Sequence, residues 1–151
     1  MHKQNLSEAN FALWLLIGKV NHSVMLGRKI ELSKYHVPVR RFYALRTIQA
    51  LGPKPTISEV AKQMEREEHV VSRQAISLEK DGLIKRVKLS PSSKLLGLEL
   101  TQKGIDLVKA GKHSKLIDDL FASLSPTTRK QMEAGLNQIL KKLEARNSLK
   151  N

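Results

Sequence analysis

The sequence contains no cysteine, and acidic residues are about half as frequent as basic ones. Without cysteine the chain can form no disulfide, no cysteine-ligated metal site and no redox-active thiol. Histidines are present, but none stands in the close pair that a zinc site requires, so no metal is predicted. These histidines are His2, His22, His36, His69 and His113.

Motifs of catalysis and of membrane insertion are missing as well. The sequence has no nucleophile elbow, no phosphate-binding glycine loop and no paired-carboxylate motif, so we predict neither catalytic residues nor a cofactor. The apolar run at residues 11–17 is interrupted by Gly18 and Lys19 and is followed by no small-residue cleavage site. No run approaches the roughly 18 apolar residues that span a membrane. We expect a cytoplasmic protein that is not an enzyme and does not contact membranes.

The excess of basic residues is the most informative feature of the composition. The 151 residues include 27 Lys and Arg against 14 Asp and Glu, a formal net charge of +13. Such an excess attracts polyanions, and nucleic acid is the commonest of them. The hydrophobic content of 40% is ordinary for one soluble domain. The alternative is a basic surface that serves only solubility.

Amphipathic helices are predicted at both ends of the chain. Ser7 is placed to cap the first helix, whose apolar residues recur every three or four positions. Further helices are predicted at residues 102–122 and from Pro126 onward. The first helix is apolar over most of its circumference, so another subunit is expected to cover it; burial within the same chain is the alternative. We therefore assign residues 1–37 and 102–151 to dimerisation helices.

A helix is also predicted at residues 39–51, because Pro38 suits a first helical turn and Gly52 suits an end. Its apolar face consists of Phe42, Leu45, Ile48 and Ala50 or Leu51. Three arginines are predicted away from that face, where they either contact phosphate or are solvated. They are Arg40, Arg41 and Arg46.

Residues 56–82 have the pattern of a helix-turn-helix. Thr56 and Glu59 have the spacing of a capping box at the start of a short helix, and four charged residues at 65–68 interrupt the apolar pattern. A second helix is predicted from about Glu68 to a terminating glycine at position 82. Its inward positions are Val71, Ala75 and Leu78.

The opposite face of this second helix carries side chains that can bind double-stranded DNA. They are His69, Val70, Arg73, Gln74, Ser77 and Lys80. In the major groove, arginine reads guanine through O6 and N7, and glutamine reads adenine through N6 and N7. We predict that the helix enters the major groove; an ordinary solvated face is the alternative.

Two apolar runs at residues 83–89 and 96–100 predict a β-hairpin, and the turn-prone residues between them include one cation, Lys94. A basic tip of this kind contacts phosphate or enters the minor groove. The predicted fold is mainly α with a small β-hairpin wing. A winged helix-turn-helix lobe at residues 38–101 binds DNA, and the dimerisation helices complete one compact subunit.

Three segments resemble the MarR family of bacterial transcriptional regulators. They are ISEVAKQM, VVSRQAISLEKDGLIKR and LELTQKG, and the flanking helices agree with the family in order and length. The resemblance implies a winged-helix homodimer that binds a pseudo-palindromic operator, and a repressor released by a small aromatic or anionic effector. Ser72 and Arg73 match positions that usually contact DNA in this family. The adjoining variable positions hold His69, Val70, Gln74 and Ser77.

The wing departs from the family pattern. Family wings carry Asp followed two residues later by Arg, and these places hold Ser92 and Lys94. Lysine lacks the planar fork of arginine, so Lys94 is expected to contact phosphate, and minor-groove reading does not follow from the resemblance. The resemblance also implies an effector pocket, which five residues of this sequence would line. The alternative is that these five residues have ordinary packing and surface roles. They are His22, Tyr35, His36, Tyr43 and Arg46.

Two other functions are compatible with the sequence. The net charge is +3 in residues 1–37, +5 in residues 38–101 and +5 in residues 102–151, so it is not confined to the helix-turn-helix. One alternative is therefore an architectural protein that coats DNA with weak sequence preference. The other is a winged-helix module that binds proteins and never DNA, because a fold does not fix a function.

Overall fold

Local sequence signals set the boundaries of most elements in the computed structural model, which describes residues 2–148. The elements are α1 (His2–Ser33), α2 (Val39–Leu51), α3 (Ile57–Gln63), α4 (Glu68–Lys80), β1 (Ile84–Lys88), β2 (Leu96–Leu100), α5 (Gln102–Lys112), α6 (Lys115–Ala122) and α7 (Pro126–Ser148). The predicted class, mainly α with a β-hairpin wing, is confirmed.

The helix-turn-helix consists of α3 and α4. The Glu59 N–H donates to Thr56 Oγ1 at 3.2 Å and the Thr56 N–H donates to Glu59 Oε2 at 2.7 Å, so the predicted capping box is confirmed. Hydrogen bonds from the backbone and side chain of Thr56 hold the pKa of Glu59 below its ordinary value. Past the end of α4, Gly82 has φ +70°, a conformation that glycine adopts without strain.

The wing is an antiparallel pair of strands in which Ile84 lies opposite Leu100. The segment before α3 is hydrogen-bonded to strand β2 of the wing, because the Leu98 N–H donates to Pro55 O at 2.8 Å. A side chain at Gly97 would place its Cβ 2.4 Å from Lys54 O, so this close approach requires glycine. The predicted hairpin is confirmed.

The main hydrophobic core lies where α2, α3, α4, α5 and the wing meet. Its buried members include Leu45, Ile48, Val60, Ala61, Val71, Ala75, Leu78, Ile84, Leu98 and Val108. A second cluster joins the end of α1 to α2 and consists of Leu32, Val37, Val39 and Phe42. The chain folds as two compact units, one ending at Ser114 and the other beginning at Lys115.

Arg28 is 3% exposed and connects α1 to the rest of the first unit. Its Nη1 lies 2.6 Å from Glu31 Oε2, its Nη2 donates to Gly111 O at 3.0 Å, and its guanidinium lies 5.5 Å from the centre of the Phe42 ring. Ser114 adds a hydrogen bond to the same Glu31 oxygen at 2.6 Å. This network ties α1 to α2 and α5.

Three predictions about helices are wrong. Ser7 does not cap α1, because nothing between His2 and Ser7 interrupts a helix and α1 continues through both. Residues 102–122 are not one helix: α5 ends at Lys112 and α6 begins at Lys115, and the buried Ser114 between them bonds Glu31 instead. Finally, Ala50 and Leu51 do not close the apolar face of α2, since both are exposed.

Candidate nucleic-acid interface

Helix α4 presents one face to the core and the opposite face to solvent. Val71, Ala75 and Leu78 are each at most 2% exposed, as predicted. Of the predicted DNA-binding residues, Ser72 and Gln74 are half-buried. The exposed ones are His69, Val70, Arg73, Ser77 and Lys80. The periodicity therefore placed the polar side chains of this helix correctly.

One flank of α4 is fixed to the wing by an ion pair. Arg86 Nη2 lies 2.6 Å from Glu79 Oε2, and Arg86 Nε donates to the same oxygen at 2.8 Å. The Arg86 N–H also donates to Glu79 Oε1 at 3.1 Å. These side-chain and backbone hydrogen bonds lower the pKa of Glu79, so its carboxylate stays charged and bonded. The pair orients the wing relative to α4 and leaves Arg86 less available to a ligand.

The charge along α4 is uneven. The turn before it and its first turn carry the exposed acids Glu65, Glu67 and Glu68, which suit the positive end of a helix dipole. His69 Nδ1 lies 3.1 Å from Glu67 Oε2. Within residues 2–148, Arg73 forms no hydrogen bond or ion pair, so the free positive charge lies in the middle and C-terminal part of the helix.

Of the three α2 arginines for which phosphate contact or solvation was predicted, Arg40 and Arg41 differ in their surroundings. Arg41 donates from Nη2 to Ser77 O at 3.2 Å and to the Asp81 carboxylate, and its side chain is only 21% exposed. These contacts hold the pKa of Asp81 below its ordinary value, chiefly through the hydrogen bond from Arg41. Arg41 therefore ties α2 to the end of α4, whereas Arg40 is exposed.

The tip of the wing contains the two cations that form no ion pair in the described part of the hairpin, Lys88 and Lys94, and both are exposed. Its turn is closed by the Ser93 N–H, which donates to Ser90 O at 3.0 Å. Ser92 Oγ lies 3.4 Å from Ser90 Oγ, and a hydroxyl carries no charge with which to brace Lys94 as a carboxylate would. Lys94 is a flexible, exposed cation on a closed turn, and such a side chain suits phosphate contact.

Several solved structures of known proteins have a fold similar to that of this chain. No protein-family model and no curated protein matches the sequence. The solved MepR–DNA complex of Staphylococcus aureus is 24% identical over 85% of this chain and 94% of MepR, with a TM-score of 0.77. The organohalide-sensing regulator RdhR bound to 2,4-dichlorophenol is 24% identical over 86% of this chain and 78% of its own, with a TM-score of 0.76. Apo MarR from E. coli is 20% identical over 85% and 96%, with a TM-score of 0.69.

The chain has the MarR-type winged-helix fold.

In this MarR-type fold the five residues predicted for an effector pocket are not brought together. His22 and Tyr43 lie in an open cleft of about 940 Å³ that α1, α2 and the helix-turn-helix form. Tyr35 and His36 lie in a separate cleft of about 340 Å³ beside Arg41, Asp81 and Lys103. Arg46 is exposed on α2 and lines neither cleft.

The larger cleft reaches the flank of α4 that lies away from the Glu79–Arg86 ion pair. Its lining includes Val70 and Gln74 of α4 together with Arg40, Met25 and Met64. It thus combines thioether and aromatic surface with the cations Arg40 and Arg66 and the acids Glu65 and Glu67, so it offers apolar contact and charged groups to a small aromatic ligand. Sequence periodicity did not reveal this cleft, because its walls come from three helices that are distant in the chain.

The structure adds one exposed side chain to the α4 face that sequence reasoning left out. Ile76 is 51% exposed, between Arg73 and Lys80. The buried stripe of α4 consists of Val71, Ala75 and Leu78. Ile76 is five residues after Val71 and one after Ala75, and these spacings place it outside the stripe.

Among residues 2–148, no group of three potential metal ligands is found, and no helix has the length and apolar character to cross a membrane.

Proposed function

We propose that the protein is a transcriptional regulator that binds double-stranded DNA by placing α4 in the major groove. The observation that carries this proposal is the α4 face itself, an exposed helix surface with unpaired Arg73 and Lys80 beside a wing with free lysines. The same fold is found in MepR, whose solved structure is a complex with DNA. A helix of about 10–12 Å diameter fits the major groove, which is about 12 Å wide.

We further propose that the protein acts as a homodimer and represses its target genes. Within its own unit α1 exposes large apolar side chains, and α7 does so within its own unit. In α1 they include Leu6, Phe11, Leu13, Trp14, Leu15, Leu16, Ile17 and Val20, and in α7 Met132, Leu136, Ile139, Leu140 and Leu143. Apolar surface of this extent is typical of an interface between subunits. Two copies related by a twofold axis would present two α4 helices to a pseudo-palindromic operator, with half-sites about 34–36 Å apart.

The proposal is tested by selecting binding sites from a random DNA duplex pool with the full-length protein, followed by footprinting. We expect one bounded, pseudo-palindromic site. Extended protection with weak sequence preference and a steep salt dependence would instead indicate the DNA-coating alternative, which the charge distribution of +3, +5 and +5 along the chain also permits. Failure to bind any duplex would contradict both the regulator and the DNA-coating protein. The remaining hypothesis would then be a winged-helix module that binds proteins.

Replacement of Arg73 by alanine is expected to weaken binding to the selected site by about 1–3 kcal/mol, roughly 5- to 150-fold, because a bidentate contact to guanine is lost. Fluorescence anisotropy with labelled duplex measures this change. The matched control is Arg129→Ala, which removes the same charge from an exposed position in α7. The control is expected to change affinity by no more than about twofold, because Arg129 lies outside residues 38–101, the lobe proposed to bind DNA. Equal losses in the two variants would remove Arg73 from the interface.

We also propose that a small aromatic anion binds the larger cleft and lowers DNA affinity. Val70 and Gln74 belong both to the cleft lining and to α4, so an occupant would change the surroundings of the DNA-binding helix directly. The related fold of RdhR was solved with 2,4-dichlorophenol bound, which shows that such a fold can hold a small aromatic molecule.

Benzoate serves as the probe for this site, and its binding is measured calorimetrically without DNA. Arg40→Ala is expected to weaken binding about fivefold, the magnitude of one exposed ion pair. Arg46→Ala is the control, because it removes an exposed arginine from the same helix but lines neither cleft. If the Arg46 variant loses as much affinity as the Arg40 variant, benzoate is bound by general charge and not in this cleft.

A further inference from the structure

Ile76 is an exposed apolar side chain on a helix face whose other residues, apart from Val70, are polar. It is 51% exposed and belongs to neither hydrophobic cluster of the first unit. A β-branched residue is also not the best helix former for a surface position. Packing and helix propensity therefore give no reason for isoleucine at this position.

The position of Ile76 on α4 is defined by what the two flanks of the helix contact. On one side, Glu79 is bonded to Arg86 of the wing. On the other side, Val70 and Gln74 line the larger cleft. Ile76 lies between these flanks, three residues after Arg73 and four before Lys80, and side chains at these spacings are neighbours on a helix surface.

The centre of this face would point at base edges when α4 occupies the major groove, because the flanks are directed toward the wing and the cleft. Isoleucine can accept or donate no hydrogen bond there. Among the groups that bases display in the major groove, the C5-methyl of thymine is the apolar one. A methyl group packed against isoleucine leaves water, which is favourable by about 0.8 kcal/mol, or fourfold in affinity.

We propose that Ile76 is a specificity-determining residue that contacts the C5-methyl group of a thymine in each half-site. This proposal rests on the proposed DNA-binding function. Ile76 is about 4.5 Å along the helix axis from Arg73, and base pairs are about 3.4 Å apart. The thymine is therefore expected within about one or two base pairs of the base that Arg73 contacts.

The test uses the duplex selected from the random pool, in which each thymine of one half-site is replaced in turn by deoxyuridine. This replacement removes the methyl group and leaves the hydrogen-bonding groups of the base pair in place. With the wild-type protein we expect one replacement to weaken binding about fourfold. With Ile76→Ala, thymine and deoxyuridine at that position are expected to bind equally well.

The matched control is Ile105→Ala, which removes the same atoms from an exposed isoleucine of α5. This variant should keep the fourfold difference between thymine and deoxyuridine. If no deoxyuridine replacement affects the wild-type protein, or if the difference persists in Ile76→Ala, Ile76 does not read thymine although the regulator still binds its site. If the pool yields no preferred sequence, the proposed function fails together with this inference. Circular dichroism of Ile76→Ala should match the wild type, because the side chain lies outside the core.

Discussion

Replacement of Trp14 by aspartate is expected to convert the protein from a dimer into a monomer. Trp14 is 62% exposed in one chain, and its ring packs against Phe11 with the ring centres 5.2 Å apart. In a subunit interface a tryptophan of this kind contributes about 2 kcal/mol or more, and a buried carboxylate adds a desolvation cost. The dissociation constant should therefore rise about 30-fold or more. Light scattering distinguishes the 17.0 kDa monomer from a particle of twice that mass.

The control for this variant is Ser23→Asp, which adds the same carboxylate at an exposed polar position of α1 and should leave the dimer intact. Because Trp14 is the one tryptophan of the sequence, its fluorescence reports the same equilibrium in the wild type. Dilution should shift the emission to longer wavelength as the ring becomes solvated. A wild-type protein that stays at 17.0 kDa at high concentration would contradict the proposed homodimer. A dimeric Trp14→Asp would move the interface away from this part of α1.

Replacement of Gly104 by alanine is expected to destabilise the first unit by about 3 kcal/mol, the upper part of the range for overpacking. An added Cβ would lie 2.1 Å from Leu83 O, a backbone atom. That carbonyl cannot move freely, because it accepts a hydrogen bond from the Thr101 N–H at 3.1 Å. The Thr101 hydroxyl in turn donates to Gly82 O at 2.6 Å and accepts from the Gly104 N–H at 3.2 Å. Urea unfolding followed by circular dichroism measures the loss.

Gly18→Ala provides the comparison, since in one chain the Cβ that it would add to α1 meets no atom within 4 Å beyond the adjacent residues and the backbone of its own helix. Alanine is favoured over glycine inside a helix, so this variant should be unchanged or more stable by about 0.5–1 kcal/mol. Both variants must be compared at one protein concentration, because the proposed dimerisation would contribute to the measured stability. Equal stability of Gly104→Ala and the wild type would show that the junction between Leu83 and α5 is free to adjust.

The sequence predicted the elements of the winged-helix lobe closely because their signals are local. The capping box at Thr56 and Glu59, the four- and three-residue spacing of Val71, Ala75 and Leu78, and the positive φ of Gly82 each act within about one helical turn. The break between α5 and α6 has a weaker local signal, Gly111 near the end of α5. At the break, Ser114 bonds Glu31, a residue 83 positions earlier in the chain.

The candidate site shows the same division. Periodicity identified the polar face of α4 but left Ile76 assigned to neither face, and the structure shows it 51% exposed. Charge alone grouped Arg40 with Arg41, yet Arg41 is engaged by Ser77 and Asp81 at the end of α4. The predicted effector residues were grouped by resemblance, and the structure places two in each of two clefts and Arg46 in neither.

The sequence by itself determined the order of the helices, the helix-turn-helix, the hairpin and the basic character of the chain, because composition and short-range periodicity encode these properties. Only the tertiary structure decided which arginines remain free, which cleft adjoins α4, and that Ile76 stands exposed between the wing and that cleft. These properties arise from contacts between residues distant in the chain, such as Arg41 with Asp81 and Arg28 with Gly111. Such contacts leave no periodic pattern in the sequence.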